Sequence, residues 1–259
     1  MTDPRVHVEI TNGVARVELT RPAARNAVDL PMCLELRAAF EELDADDGVH
    51  VVLLAARGTV FCAGADLKER TDKDAAWVRR RRVASFAAYA AIEACRCPVI
   101  AAVQGAVVGS GGEMVLAADF AVAADDVTFR FPEPRWGTVG ATQRLQRAIG
   151  KRRAKELLFT NRAMGVAEAH ELGVVSRVVP RAELEEAGLD AARTVAEAPP
   201  TAIALTKRAV DLGAETDLDR GIRIEMAAIE HNLTDGGWRA GLDRFQKRPR
   251  TTPASEKSD

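Results

Sequence analysis

The strongest constraint on the fold is a recurring pattern of short, unbroken apolar runs, each followed by a glycine turn and a helical stretch. Val51-Val52-Leu53-Leu54-Ala55 is one such run, residues 98–103 repeat it, and residues 119–123 follow suit. A run without alternation predicts a strand buried on both faces, as in a parallel sheet covered by helices. Ahead of these, Val6, Val8 and Ile10 alternate, Asn12-Gly13 supplies the positive φ of a tight turn, and Ala15, Val17 and Leu19 alternate back. That pattern predicts a hairpin. Asp29 is placed to cap a helix with Pro31 in its first turn, and Leu36, Ala39, Phe40 and Leu43 give that helix one apolar face. From Ala141 on, the pattern is almost entirely helical, and Leu218, Ile222, Met226, Ile229 and Leu233 form a stripe at helical spacing. The expected organisation is an α/β core over 1–198, a helical region over 199–247 and a polar tail over 248–259 that is expected to be flexible.

Charge and cysteine usage exclude several classes of function. With 36 basic and 38 acidic residues the net charge is -2, which offers no general field for nucleic acid or an anionic membrane. The longest apolar stretch is interrupted by Gln104 and Gly105 and is too short to span a bilayer. No basic segment followed by an apolar one opens the chain, so no secretory signal is expected. Cys33, Cys62, Cys95 and Cys97 lack paired metal-site spacing and a nearby histidine, which argues against zinc and for reduced thiols in a cytoplasmic protein. His7, His50, His170 and His231 are scattered, so a Ser-His-Asp hydrolase has no support. Cys62 has no neighbour that would lower its pKa and reads as a packing residue.

One region carries chemistry. Glu113 ends the turn Gly109-Ser110-Gly111-Gly112-Glu113, and Glu133 lies between prolines in Phe131-Pro132-Glu133-Pro134. Upstream, Phe61-Cys62-Ala63-Gly64-Ala65-Asp66-Leu67 makes a second turn in which the backbone is uncovered. Three glycines in four residues leave main-chain N–H groups bare at the start of a helix expected over 113–118, where the helix dipole adds positive potential. Such a turn could hold a phosphate, but the dinucleotide pattern would need glycine at Met114 and no Gly-Lys-Ser/Thr follows, so an oxyanion hole is the better reading. Each glutamate alone could be a solvated surface residue. A carboxylate issuing from the same turn as the N–H groups is nonetheless close to any oxygen bound there, as acid/base work at a carbonyl requires. The four arginines at 79–82 read as the solvated face of a long helix over 74–94, with an anion grip as the alternative.

These residues together resemble the enoyl-CoA hydratase/isomerase (crotonase) superfamily, nearly end to end. Leu19-Thr20-Arg21-Pro22 with Asn26-Ala27 is similar to its opening signature, and the Phe61 to Leu67 turn to its first oxyanion and coenzyme A turn. The segment from Gly105 through Glu113 to Asp119 is similar to its second. Phe131-Pro132-Glu133, Gly137 and Thr142-Gln143-Arg144-Leu145 resemble the segment bearing the second glutamate. The resemblance implies a spiral of ββα units followed by a helical region that builds homotrimers or hexamers. It implies acyl-CoA thioesters as substrates, with no separate cofactor and no metal, because coenzyme A enters as part of the substrate. Carried over by position, the N–H groups of Ala65 and Ser110 hold the thioester oxygen, and Glu113 and Glu133 are the acid/base pair. Arg25, Ala63, Ala65, Asp66, Leu67, Gly109 and Gly111 are the implied coenzyme A and substrate contacts.

Retention of both glutamates favours a hydratase, with Glu133 as acid and Glu113 as water base. The alternatives are an isomerase or dehydratase of a specialised acyl-CoA, or a non-catalytic acyl-CoA-binding protein. Two departures from the family pattern stand out. Ser110 replaces a glycine in the second turn, and the loop Gly137-Thr138-Val139-Gly140-Ala141-Thr142 is shorter than the glycine- and proline-rich loop that lies against the acyl group in relatives.

Overall fold

Asn12 and Gly13 both take positive φ, 51° and 79°, and close a two-residue turn between β1 (Val6–Thr11) and β2 (Val14–Leu19), with Thr11 opposite Val14. This is the backbone that a tight hairpin needs, and Asn-Gly adopts it at low cost. The structure is a computed structural model that describes residues 3–247. Its two compact units are Met1–Ala196 and Glu197–Asp259.

In the first unit, α1 (Leu30–Ala45) begins as its sequence requires. The Asp29 side chain accepts from the Met32 N–H at 3.0 Å, Pro31 occupies the first turn, and Met32, Leu36, Phe40 and Leu43 are buried. The fully apolar run becomes β3 (Val51–Ala56), and α2 (Ala75–Ala94), capped by Asp74, leads to the wholly buried β4 (Val99–Val103). From there the chain alternates between two sheets. It gives β5 (Ala106–Val108) to a small sheet before α3 (Ser110–Ala117), then β6 (Phe120–Ala124) to the large sheet and β7 (Thr128–Arg130) to the small one. Next come α4 (Thr142–Ile149), α5 (Lys151–Thr160), β8 (Met164–Gly165), α6 (Val166–Glu171), β9 (Arg177–Val179) and α7 (Leu184–Ala196).

The large sheet runs β1-β2-β3-β4-β6-β9, parallel except for the opening hairpin, and the small one β5-β7-β8. Two passes, β4-β5-α3 and β6-β7-α4, thus each add a strand to both sheets and then a helix, which is the α/β spiral of ββα units that the resemblance implies. Helix α7 packs on β3, β4 and β6, so those strands are covered and can be apolar throughout.

Three expectations need correction. The stretch after Ala141 is not purely helical, because β8 and β9 interrupt it. Strand β9 is three residues long, starts on an exposed arginine and pairs only with β6, so it leaves no apolar run to read. Helix α3 starts at Ser110 rather than Glu113, which places the glycine cluster inside its first turn. The arginine run is not one solvated face: Arg79 and Arg80 are exposed, Arg81 is buried and Arg82 is half-buried.

The second unit consists of α8 (Pro200–Ala214), α9 (Leu218–Asp235), capped by Asp217, and α10 (Gly237–Lys247). The stripe from Leu218 to Leu233 lies on α9 and is exposed, from 44% at Ile229 to 78% at Leu218. The expected tail over 248–259 lies outside the described residues. Among the described residues, no helix is long and apolar enough to cross a membrane.

Candidate active site

The first turn is built so that one N–H is left over. Val28 brackets Ala65 in a parallel bridge: its N–H donates to the Gly64 carbonyl at 2.8 Å, and its carbonyl accepts from the Asp66 N–H at 2.8 Å. Ala65 N–H has no acceptor among the described residues. Ser110 N–H, in the first turn of α3, has none either, as expected for a helix N-terminus. Gly109 joins β5 to that helix at φ 45° and ψ -102°, and a Cβ there would stand 2.7 Å from Oε1 of Glu133. The backbone therefore favours glycine, and a side chain there would displace the Glu133 carboxylate.

Arg81 fixes the first turn to its surroundings. Its Nε donates to Glu69 at 2.6 Å, one terminal nitrogen donates to Ser85 Oγ at 2.5 Å, and the other donates to the Val28 carbonyl. The second Glu69 oxygen accepts the Leu30 N–H at 2.8 Å. Arg81 is 1% exposed, so this pair ties α2, the turn and the start of α1 together out of water. The spacing Arg81, Ser85, Ala88, Tyr89, Ile92 of buried residues on α2 was the available signal that one arginine faces inward.

The two glutamates sit in different surroundings. Glu113 is buried, accepts the Ala141 N–H at 2.8 Å, and pairs through its other oxygen with Arg144 at 3.1 Å. Arg144 also pairs with Glu93 at 2.5 Å, which fixes the guanidinium. Glu133 is half-buried; its Oε2 is shielded from water and has no hydrogen-bond partner. Burial raises its pKa above the ordinary carboxylate range, with the charge of Glu113 adding to the rise and Arg82 opposing it. The short loop touches both acids: Ala141, at φ 54°, supplies the N–H to Glu113, and a Cβ on Gly140 would lie 2.9 Å from Cγ of Glu133.

Of the residues named from the sequence, Ala63, Ala65, Leu67, Gly109, Ser110, Glu113 and Glu133 line one cavity. Arg25, Asp66 and Gly111 are not in its wall. Arg25 is exposed in left-handed backbone and its carbonyl accepts the Ala63 N–H at 2.9 Å. Asp66 is engaged by Arg21 at 3.2 Å and by the Lys68 N–H at 3.1 Å. Gly111 is packed on Cys62, whose Cβ would be 2.8 Å from an added Cβ. These three shape the turns.

Sequence reasoning missed Arg70 and Tyr89, which also line the cavity, and Arg82 joins them from the run whose alternative reading was an anion grip. Tyr89 is buried with its hydroxyl toward the Ser110 side chain, and burial keeps it protonated. Burial also pushes the Cys62 thiol up to about 12, so it is no nucleophile at neutral pH. The resulting cavity joins two unsatisfied N–H donors to two carboxylates of unlike environment. Such a set can polarise a carbonyl while one acid takes a proton and the other gives one.

Comparison with known proteins points to one family. The family model described as enoyl-CoA hydratase/isomerase matches residues 9–252. An enoyl-CoA isomerase/hydratase of Mycosarcoma maydis is 34% identical over 258 residues, spanning 95% of this chain and 94% of the relative. The crystal structure of an enoyl-CoA hydratase from Bacillus anthracis superposes with a TM-score of 0.91, covering 94% of this chain and 96% of that one at 34% identity. An enoyl-CoA hydratase structure from Mycobacterium smegmatis gives a TM-score of 0.90 with 95% and 98% covered, at 30% identity.

Proposed function

The chain belongs to the enoyl-CoA hydratase/isomerase family, and we propose that within it the protein is a hydratase, adding water across the α,β double bond of a coenzyme A thioester. The observation that carries this reading is the pair of glutamates in one cavity, one held by a cation and the other pushed toward its neutral form.

The thioester oxygen accepts hydrogen bonds from the N–H groups of Ala65 and Ser110. Polarisation makes C3 electrophilic, and the developing enolate is stabilised; one such donor is worth roughly 10²–10³ in rate. Glu113, paired with Arg144, takes a proton from water as the water oxygen bonds to C3. The electron pair of the double bond moves toward the thioester oxygen and returns as Glu133 delivers its proton to C2. No group besides the substrate and water enters this balance, and coenzyme A comes and goes with the acyl chain. Gly109, Ala63 and Leu67 contact the thioester portion. The exposed stripe on α9 is buried against further copies of the chain, as a trimer or hexamer. The buried thiols of the four cysteines fit a reducing compartment such as the cytoplasm.

The test is turnover of short, medium, branched and aromatic enoyl-CoA thioesters in deuterium oxide, with products read by mass spectrometry. A 3-hydroxyacyl thioester with one deuteron at C2 is the expected product. Double-bond migration alone would make the protein an isomerase, and binding without turnover on any of them would make it an acyl-CoA-binding protein.

A further inference from the structure

The cavity wall carries more positive charge than the hydration of a plain acyl chain uses. Arg70, Arg81 and Arg82 all line it, beside Glu113 and Glu133. The charge of Arg81 is met by Glu69, and its other nitrogens by Ser85 and the Val28 carbonyl. The charge of Glu113 is met by Arg144. Arg70 and Arg82 have no carboxylate within ion-pair distance among the described residues. Arg70 is half-buried, and its Nε is shielded from water without any hydrogen-bond partner. Burial and the like charges of Arg81 and Arg82 all disfavour its protonated form, and Glu69 opposes them only in part. Arg82 is half-buried and bonds to the Thr138 hydroxyl alone. It stands at the reaction centre: an added Cβ on Gly140 would lie 3.4 Å from a terminal nitrogen of Arg82 and 2.9 Å from Cγ of Glu133.

A partly dehydrated guanidinium without a counter-ion is unfavourable, and two sharing one cavity repel each other. A ligand carboxylate reverses both terms, since guanidinium and carboxylate match in planar, charge-assisted hydrogen bonds. Coenzyme A also carries anions, but its phosphates are separated from the thioester by the whole pantetheine arm. Arg82 lies instead beside Glu133, the acid that serves C2 in the proposed reaction, and so within reach of a short acyl chain.

We propose that Arg70 and Arg82 form a carboxylate-binding subsite, and that the acyl group is short and ends in a carboxylate, so that the substrate is the coenzyme A monothioester of an unsaturated dicarboxylic acid. The proposal rests on the hydratase reading for the reaction but not for the binding. The reaction balances as before: the water oxygen bonds to C3, a proton reaches C2, and the distal carboxylate is unchanged.

The experiment compares matched thioesters that differ only in a terminal carboxylate for methyl. Hydration of the pent-2-enedioic monothioester and of pent-2-enoyl-CoA gives one ratio of kcat/KM. Competitive binding of the saturated pentanedioic and pentanoyl thioesters, which needs no turnover, gives a second. Wild-type protein should favour the carboxylated member by at least about tenfold in both, the span of one well-made charged contact. Arg82→Gln and Arg70→Gln should each collapse the ratio toward one, with partial recovery in Arg82→Lys. Equal or better use of pent-2-enoyl-CoA by the wild type overturns the subsite while leaving a hydratase. Equal losses on both members in the variants also overturn it, because the arginines would then serve coenzyme A or the fold. Preferential binding of the carboxylated saturated thioester without hydration of any enoyl thioester upholds the subsite and overturns the hydratase.

Discussion

Arg144 pairs with Glu113 at 3.1 Å, and the same guanidinium is held by Glu93 at 2.5 Å. The cation therefore cannot swing toward Glu133, and the two acids of the cavity are made unequal by geometry. Arg144 is a positioning residue in this scheme. Arg144→Gln should lower kcat by about ten- to a hundredfold with little change in KM, the scale expected when a catalytic group is misplaced by about an ångström. Arg144→Lys should recover part of that loss. Glu113→Gln and Glu133→Gln should each fold and each lose at least about a hundredfold in hydration. Steady-state kinetics with circular dichroism of each variant checks this, and near-wild-type turnover by either glutamine variant would remove that acid from the mechanism.

The raised pKa of Glu133 has a sign that can be measured. Its folded value lies above its unfolded one, so the native state holds the proton more tightly. Stability is then lost as pH rises from the ordinary carboxylate range through the raised value, and the loss stays constant above it. Glu133→Gln removes that loss. The variant should match the wild type in thermal stability at low pH and exceed it at neutral and alkaline pH, despite being inactive. Hydration by the wild type should decline as pH rises through the same window, because the donor must be protonated. A variant no more stable than wild type at pH 8 contradicts the assignment.

Gly140 tests the short loop. Its backbone is not left-handed, so an alanine there is unwelcome only through the close approach to Glu133 and Arg82. Gly140→Ala should retain the fold and lose about tenfold or more in kcat as Glu133 is displaced. Gly165→Ala, where nothing lies within 4 Å of the added carbon, is the control and should behave as wild type. Equal activity of the two variants would show that Glu133 tolerates movement.

The exposed stripe on α9 predicts association. Large contiguous apolar surfaces are rare on monomers, and a closed ring of copies would cover this one. Ile222→Asp combined with Ile229→Asp should dissociate or unfold the particle, read by light scattering. A wild-type chain that stays monomeric at micromolar concentration would end the proposal.

Much of the fold was legible because its signals are local. The Asn12-Gly13 hairpin, the Asp29 cap with Pro31, and the unbroken runs of β3 and β4 follow from backbone preference and periodicity within a few residues. Strands β5, β7, β8 and β9 were not legible, because each is two or three residues long and exists only through its pairing partner. The arginine run was misread for a related reason. Successive helical residues point about 100° apart, so four in a row cannot share one face. One of them, Arg81, necessarily turned inward to Glu69.

The sequence by itself determined that this chain would have two glutamates and two bare-backbone turns, since glycine and proline act on their own neighbours. It did not determine which glutamate is paired with a cation, or that Arg70, Arg81 and Arg82 share their cavity. Those facts depend on Arg144 reaching Glu113 from α4, on water being excluded from Glu133, and on α2 carrying Arg82 to Thr138. Electrostatic character is set by burial and by neighbours distant in sequence, and only the folded chain brings those together.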